Sequence, residues 1–311
     1  MEFLQDVFVL PFLDIADSPL FFLEVVIARL LSGVMYSLVA LGFVLIFKAS
    51  GVFNFAQGAM VLFAALTLVG LMEQGVPVII AIALTAVVMI ILAILIEHMM
   101  LRHLVNQEGI ILFMATIGLN FILEGAGQIA WGSDVKKLDI GLPDQSFEYA
   151  GMLFNTLDLS AALIAGLMVT VLALFFQYTG TGRALRAVAD DHQAALSVGI
   201  PLKSIWIIVW SVAGIVALVA GILWGTKAGV QFSLVLIALK ALPVLILGGF
   251  TSVPGAIIGG LIIGVGEKVV EVYWGPAFGG AIEGWFAYML ALAFLMFRPQ
   301  GLFGEKIIER V

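Results

Sequence analysis

Long runs of apolar residues, separated by short polar stretches, fill most of this chain. Runs of membrane-spanning length lie at about 22–47, 53–72, 77–99, 109–131, 160–179, 204–225, 232–249, 255–273 and 282–297. A helix needs about 20 residues to cross the roughly 30 Å of bilayer hydrocarbon. The runs are continuous rather than alternating, which favours helices over strands. They predict an all-α polytopic membrane protein, a bundle of about 8–9 transmembrane helices, some short or broken.

One polar segment, from Gly182 to Pro201, interrupts this pattern. Leu185, Val188, Ala189, His192 and Leu196 recur at helical spacing on one side, whereas Arg183, Arg186, Asp190, Asp191 and Gln193 fall mostly elsewhere. Gly199 and then Pro201 supply a helix stop. The segment is expected to form a short amphipathic helix between two spans. Two interpretations stay open: a contact for another protein, or an ordinary loop in the headgroup zone.

The loops differ in their content of basic residues, which predicts an orientation. One set of alternate loops holds Lys48, Arg102, Arg183, Arg186, Lys203, Arg298, Lys306 and Arg310, and the other holds Lys136, Lys137 and Lys227. The richer set belongs in the cytoplasm. The N-terminus is therefore expected outside, and the C-terminus and the amphipathic segment inside. The largest outside loop, at about 132–158, is acidic and either meets an extracytoplasmic partner or is merely solvated.

The composition supports a membrane protein and excludes several kinds of chemistry. Hydrophobic residues make up 63% of the chain and charged residues 11%, with a mean hydropathy of +1.19, against about 25% charged residues in soluble domains. There are no cysteines, which excludes disulfides and thiolate nucleophiles. No basic signal-peptide start precedes Arg29, so the N-terminus is expected to remain on the mature protein. Membrane lipid is an expected partner, and nucleic acid is not.

Several enzyme and nucleotide-binding motifs are missing from the sequence. There is no G-x-x-x-x-G-K-[ST] and no Gly-Lys dipeptide, so the chain does not bind ATP by a P-loop. It has no HExxH zinc pair and no G-x-S-x-G elbow, which weakens an intramembrane protease or other polytopic enzyme. No cofactor or metal is expected on this chain, and any ATP-driven work falls to a partner.

Glycines and helix breaks form a second pattern. Pairs four residues apart, Gly255 and Gly259, Gly260 and Gly264, and Gly221 and Gly225, predict close helix contacts, within this chain rather than between subunits. Breaks are expected at 50–58, at Pro243 and at 251–255. Discontinuous helices at membrane depth usually line a cavity or a pathway.

A few polar residues at membrane depth are candidates for the pathway. Asn54 and Gln57 stand three apart and are expected on one helical face, Glu124 stands near Asn120 and Gln128, and Lys240 sits within an apolar run. Charges near the bilayer centre are costly and therefore often functional. For Lys240, pairing with a carboxylate of another span is an equal alternative. Glu267, Lys268 and Glu271 are expected to pair within their helix.

These motifs together resemble those of a known transport family. They are Ser32-Gly33 through Ala40-Leu41-Gly42, Asn54-Phe55-Ala56-Gln57-Gly58, Thr116-Ile117-Gly118, Gly182-Arg183 through Ala189-Asp190-Asp191 to Gly199-Ile200, Leu247-Gly248-Gly249 through Pro254-Gly255-Ala256 to Gly259-Gly260, and Arg298-Pro299-Gln300-Gly301-Leu302. From about Phe22 to Val311 the chain looks like a permease subunit of the branched-chain amino-acid ABC importers, the hydrophobic amino-acid uptake family. Its closing Arg298-Pro299-Gln300-Gly301 resembles the shorter of the two paired permeases.

The resemblance implies one permease domain over 1–311 with a coupling segment at about 182–200. Implied partners are a second permease subunit, usually a different chain, two cytoplasmic ATPase subunits that use the ATP, and a soluble extracytoplasmic substrate-binding protein. The implied location is the bacterial inner membrane. Gln57 stands where the family often has His, and Ala189-Asp190-Asp191 replaces the general importer signature Glu-Ala-Ala.

The resulting hypothesis is a permease without bond chemistry that imports branched-chain or other hydrophobic amino acids. We expect the ATPase stroke to enter through Arg183, Leu185, Arg186, Val188, Asp190, Asp191 and Leu196, and Asn54, Gln57, Glu124 and Lys240 to line the pathway. Relatives that carry urea, short amides or aromatic acids keep the substrate open. An ion-coupled secondary carrier, with Glu124 and Lys240 as its relay, is the alternative of another class.

Overall fold

The chain is mostly helical in the computed structural model, which describes residues 2–51, 53–104, 107–190 and 192–304; the side chains of 2–4, 190, 192 and 193 fall outside that description. The α-helices within these residues are α1 Glu2–Phe8, α2 Leu10–Asp17, α3 Pro19–Ser50, α4 Gln57–Glu73, α5 Val78–Met99, α6 Gly109–Trp131, α7 Thr156–Tyr178, α8 Gly180–Asp190, α9 His192–Ser197, α10 Leu202–Ala228, α11 Ile237–Gly248, α12 Val253–Tyr273, α13 Gly275–Phe278 and α14 Glu283–Phe297. Short 3-10 helices occupy Leu101–His103 and Phe232–Leu236.

Helix length and apolarity confirm a polytopic membrane protein. Among the described residues, six helices are long and apolar enough to cross a membrane: α3, α5 extended to His103, α6, α7, α10 and α12. Three shorter apolar helices cover Gln57–Glu73, Phe232–Gly248 and Glu283–Phe297. Each of the nine apolar runs thus corresponds to a helix.

A β-hairpin departs from the all-α prediction. Strands β1, Ser146–Tyr149, and β2, Met152–Asn155, pair antiparallel within the loop between α6 and α7. The turn places Ala150 at φ 55° and Gly151 at φ 79°, two successive positive values that suit a two-residue hairpin turn. Glu24 accepts a hydrogen bond from the backbone N of Leu153 at 3.1 Å, which fixes the hairpin to the start of α3. The hairpin is confined to this loop, and the fold class stays that of a mostly helical polytopic membrane protein.

Two of the three expected helix breaks are confirmed, and the third lies elsewhere. Helix α3 ends at Ser50 and α4 begins at Gln57, and α11 ends at Gly248 before α12 begins at Val253. Pro243, however, lies inside α11. The discontinuity in that run falls earlier, where the 3-10 helix Phe232–Leu236 passes into α11.

The chain divides into two compact units, each assembled from separate stretches of sequence. Unit 1 comprises Met1–Ser37, Leu142–Gly166 and Lys240–Val311, and unit 2 comprises Leu38–Gly141 and Leu167–Leu239. In unit 2, α10 packs against α4 and α5, and α4 packs against α6. In unit 1, α12 packs against α14.

Glycine permits the tightest helix contacts in both units. In unit 1, a Cβ on Gly260 would lie 2.1 Å from Ser37 Oγ and 2.8 Å from Gly33 O, and one on Gly264 would lie 2.5 Å from Gly33 Cα. In unit 2, a Cβ on Gly221 would lie 2.8 Å from Val61 O. These distances confirm that the glycines four residues apart serve contacts within this chain. Such contacts matter in lipid, where burial of apolar surface does not drive helices together.

The closing Arg-Pro-Gln-Gly motif and the two residues after it pack against the turn between α11 and α12. Leu302 N donates to Leu247 O at 2.8 Å, and Phe303 N donates to Gly248 O at 3.2 Å. Both acceptors are last-turn carbonyls of α11, which lack partners within their own helix. Gly301 adopts φ 80°, which an L residue with a side chain rarely does. The motif therefore satisfies a helix end.

A glycine substitution tests the contact between α3 and α12. Gly260→Ala is expected to lower the free energy of unfolding by about 1–3 kcal/mol, the usual cost of overpacking. The new Cβ would meet Ser37 Oγ and two backbone atoms that move little, Gly33 O and Ser37 N. Gly125→Ala, a matched control within a helix, has nothing within 4 Å of its new Cβ. The midpoint of thermal unfolding in detergent measures both, and equal midpoints would contradict the contact.

Candidate functional site

The amphipathic segment begins with a tight elbow between α7 and α8. Thr179 Oγ1 donates to Phe175 O at 2.6 Å and accepts from Gly182 N at 3.1 Å. A Cβ on Gly182 would lie 2.0 Å from Phe176 O, so only glycine allows this approach. Helix α8 therefore starts in backbone contact with the end of α7.

Two arginines of α8 bind the carbonyl end of α7. The guanidinium of Arg186 donates to Phe176 O through Nη1 and to Gln177 O at 3.4 Å through Nη2. Arg183 Nη1 donates to Tyr178 O at 3.4 Å. These are the last three carbonyls of α7, which lack intrahelical partners and carry the negative end of the helix dipole. The arginines thus hold the two helices together.

The apolar side of the segment faces its own chain. Leu185 and Val188 are 2% and 0% exposed, and α8 packs against α10. Both residues, through which the ATPase stroke is expected to enter, are therefore covered by their own chain rather than open to a partner. Leu196 on α9, by contrast, is 47% exposed. Asp191 lies outside the described residues, as does the side chain of Asp190.

The pair Asn54 and Gln57 lies at the entrance to α4, and both side chains are fully buried. Asn54 precedes the helix, so the two do not share a helical face as expected. Asn54 Oδ1 accepts from Ala56 N at 3.1 Å, and its Nδ2 donates to Gln57 Oε1 at 3.4 Å. A Cβ on Gly42 would lie 2.4 Å from Gln57 Nε2, so Gly42 makes room for the amide. That Nε2 has no hydrogen-bond partner among the described residues.

Aromatic rings and one threonine fix the chain just before α4. Thr116 Oγ1 accepts from Phe55 N at 3.2 Å and donates at 2.8 Å to Phe113 O on its own helix, with Phe53 O at 3.3 Å as a more distant acceptor. The ring of Phe43 stacks on that of Phe53. Phe53 meets Phe55, and Phe55 meets Phe113, edge to face, and the centroids of the three pairs are 4.6 to 4.9 Å apart. The break before α4 is therefore a packed, defined structure.

Glu124, expected on the pathway, pairs along its own helix. Asn120 Nδ2 donates to Glu124 Oε1, one turn away on α6. This agrees with the expected face shared by the two residues. Glu124 is only half-buried, and the hydrogen bond from Asn120 gives its carboxylate a structural role within α6.

Lys240 forms an ion pair in unit 1 near the start of its helix. Its Nζ lies 3.6 Å from Oε1 of Glu283, the first residue of α14, and both side chains are 42% exposed. Lys240 is the fourth residue of α11, because the 3-10 helix Phe232–Leu236 occupies the first part of its apolar run. The alternative of a carboxylate partner on another helix is confirmed.

The acidic residues of α12 have different surroundings. Glu271 accepts from the backbone N of Ala281, Ile282 and Glu283 at 2.7 to 3.0 Å, so it orders the loop before α14. Glu267 is 4% exposed and accepts from the Tyr36 hydroxyl at 3.2 Å. Neither carboxylate's main partner is within its own helix, contrary to expectation. No group of three or more His, Asp or Glu that could hold a metal occurs in the described part of the chain.

Sequence reasoning missed Tyr36, Glu283 and the burial of Glu267. A signal for the last was present: Gly260, Gly264 and Glu267 follow one another at helical spacing, so Glu267 shares the glycine face that contacts α3. No sequence pattern indicates which residue of α3 meets it. The partner is known only from the structure.

Comparison with known proteins agrees over nearly the full length. The chain is 28% identical over 306 residues to the high-affinity branched-chain amino acid transport system permease protein BraD of Pseudomonas aeruginosa, covering 93% of this chain and 98% of BraD. It is 26% identical to the permease protein LivH of Escherichia coli K12, covering 95% and 100% of the two chains. A probable branched-chain amino acid transport permease protein LivH of Methanocaldococcus jannaschii is 30% identical, with 86% and 88% covered.

A family profile gives the same result. The profile described as branched-chain amino acid transport system / permease component matches residues 25–298. That range includes all of α4 to α12 and the amphipathic segment. It also includes the Lys240–Glu283 ion pair and Glu267 of unit 1. The chain belongs to the family of permease components of branched-chain amino acid transport systems.

Proposed function

We propose that this chain is the membrane-spanning permease of an ATP-driven importer for branched-chain or other hydrophobic amino acids. The observation that carries the proposal is the match to BraD and LivH over more than nine-tenths of the chain, transport permeases named for these substrates. The apolar helices provide the spans that such a subunit needs. The chain acts as one permease over 1–311 and does no bond chemistry itself.

Energy comes from partners, since the sequence has no P-loop. The proposed assembly contains a second, different permease chain, two cytoplasmic ATPase subunits and a soluble binding protein that delivers the cargo from outside. It lies in the inner membrane, with the N-terminus outside and the C-terminus in the cytoplasm. The excess of Lys and Arg on one set of loops supports this orientation.

The segment at about 182–200 is proposed as the coupling element. A push on α8 reaches α7 because Arg186 and Arg183 bind the last carbonyls of α7 and Gly182 sets the helices in contact. Leu185 and Val188 anchor α8 inward. We expect exposed Leu196 and Arg183 to meet the ATPase, together with Asp190 and Asp191, whose side chains lie outside the described part of the structure. Arg186 then positions that surface rather than touching the partner.

The four pathway candidates differ in their support. Lys240, 42% exposed beside Glu283, is a charge that a solute can reach. The amide nitrogen of Gln57 has no hydrogen-bond partner among the described residues. By contrast, Asn54 accepts a hydrogen bond from Ala56 N two residues away, and Glu124 accepts one from Asn120 on the same helix. We propose Lys240 first and Gln57 second as pathway residues.

Transport assays test the proposed function. The complete assembly in vesicles, with the binding protein of its own gene neighbourhood, is expected to take up radiolabelled leucine only when ATP is supplied, because the energy source is a partner ATPase. A protonophore at constant ATP should leave the rate unchanged. Uptake abolished by the protonophore and independent of ATP would instead show an ion-coupled carrier.

Charge reversal tests the partner-facing surface. Asp190→Lys with Asp191→Lys should lower leucine uptake at least about tenfold while the assembly still hydrolyses ATP, since unfavourable interfacial charge costs more than about 1.4 kcal/mol. Glu108→Lys, at an exposed residue between α5 and α6 on the same proposed cytoplasmic side, is the control. Unchanged uptake per ATP hydrolysed in the α8 variant would remove this surface from the coupling role.

A third variant tests the elbow. Arg186→Ala removes both bonds to the end of α7, and hydrogen bonds to charged groups contribute about 1.5–3 kcal/mol. We expect faster amide exchange in α8 and fewer leucine molecules transported per ATP. Arg186→Lys keeps the charge but not the planar fork, so its effect should be intermediate. Exposed Arg102→Ala is the control, and α8 exchange that matches the control would contradict the elbow.

A further inference from the structure

Unit 1 buries a carboxylate that the proposed coupling does not use. Glu267 is 4% exposed, and Tyr36 donates to its Oε2 at 3.2 Å. The other oxygen, Oε1, is buried and has no hydrogen-bond partner among the described residues. A buried polar atom without a partner costs about 1–3 kcal/mol, and more when it is charged. A free energy cost of this size favours a ligand that completes the hydrogen bonds.

Charged groups of both signs surround this carboxylate. Lys240, Glu283 and Arg29 act on it electrostatically. Lys240 is held loosely by Glu283 at 3.6 Å, in a pair that is 42% exposed on each side. Exposed ion pairs of this kind contribute little, at most about 1 kcal/mol, so Lys240 exchanges partners readily.

The order of the residues along α12 places Glu267 deeper than the Lys240–Glu283 pair. Glu271 binds the backbone of 281–283, which places the end of α12 beside the start of α14 and the Lys240–Glu283 pair. Glu267 lies one turn before Glu271, and a helix rises about 1.5 Å per residue, so its Cα is about 6 Å further from that end. A half-exposed cation thus stands before a deeper, incompletely bonded anion.

This pattern of charge is complementary to one class of solute. An α-amino acid presents a carboxylate and an ammonium group on the same carbon. Both are charged near neutral pH and need charged or hydrogen-bonding partners when they leave water. Neutral amides such as urea carry neither charge. Inorganic cations need only the carboxylate.

We propose that Glu267 Oε1 binds the α-ammonium group of an amino acid in transit, while Lys240 leaves Glu283 to bind its α-carboxylate. Tyr36 is a positioning residue that orients the Glu267 carboxylate. The site recognises the zwitterion common to all α-amino acids and leaves side-chain choice to other residues. The proposal rests on the proposed function, because the cargo must be an amino acid.

The proposed amino-acid site is tested on the complete membrane assembly without binding protein. The test combines variants that remove one charge from the site with competitors that carry only one of the two charges of an amino acid. Equilibrium binding of radiolabelled L-leucine is measured with isopentylamine, which has only the ammonium group, or 4-methylpentanoate, which has only the carboxylate, as competitor. Glu267→Gln should weaken competition by isopentylamine at least tenfold and leave 4-methylpentanoate unaffected. Lys240→Met should give the reverse. A purely structural role would shift both competitors together.

Further variants separate packing from binding. Glu97→Gln is the matched control, since Glu97 is 2% exposed in unit 2 and its Oε2 also lacks a partner among the described residues. It should leave both competitors unchanged. Tyr36→Phe should weaken isopentylamine competition by a smaller factor than Glu267→Gln. Should Glu267→Gln fail to assemble, half-exposed Lys240→Met and Tyr36→Phe carry the test.

The outcomes distinguish this site from the wider function. Wild-type ATP-driven leucine uptake with unchanged competition in Glu267→Gln and Lys240→Met overturns the site and leaves the transport function intact. If leucine binding requires Na⁺ and Glu267→Gln removes that requirement, Glu267 belongs to a cation site instead, and the proposal is overturned. A wild-type assembly that carries no amino acid overturns both.

Discussion

Close backbone contact through glycine is the constraint on which the helices of this permease depend. Lipid is as apolar as a leucine side chain, so the helices gain little by hiding apolar surface from it. Contact itself must hold them, and Gly33, Gly260 and Gly264 bring α3 and α12 to distances that a Cβ would prevent. Packing this tight excludes water from the helix face, so polar groups there need partners within the protein. The Ser37 hydroxyl lies 2.9 Å from Gly33 O on α3 and 3.0 Å from Ile257 O on α12, so its single hydrogen has an acceptor on each helix.

Helices, glycine contacts and the breaks before α4 and α12 followed from the sequence, because each depends on local composition and spacing. The hairpin at 146–155 did not, although Ala150-Gly151 between alternating aromatics was a usable signal. Leu185 and Val188 were assigned to a partner because an amphipathic pattern shows which face is apolar, not whose surface covers it. The Tyr36 contact to Glu267 spans 231 positions, beyond any local pattern.

Two polar systems divide the proposed work. At α7 and α8, guanidinium groups bind helix carbonyls, an arrangement suited to transmit force because charged hydrogen bonds at a helix end resist separation. In unit 1, Glu267 and Lys240 offer opposite charges that suit a solute. The chain needs no catalytic group for either task. The family match over residues 25–298 shows a transport permease, and both tasks are proposed for it.

The coupling role is tested most directly by a cross-link from the proposed ATPase-facing surface. Because the chain has no cysteine, Leu196→Cys places a single thiol on a side chain that is 47% exposed. A thiol-attached photoactivatable cross-linker there should join this chain to the ATPase subunit, with a yield that changes when ATP binds. The same linker at Leu167→Cys, 65% exposed on spanning helix α7, should not. Labelling of the Leu196→Cys thiol by an impermeant reagent from outside, or no cross-link to the ATPase, would contradict the coupling role.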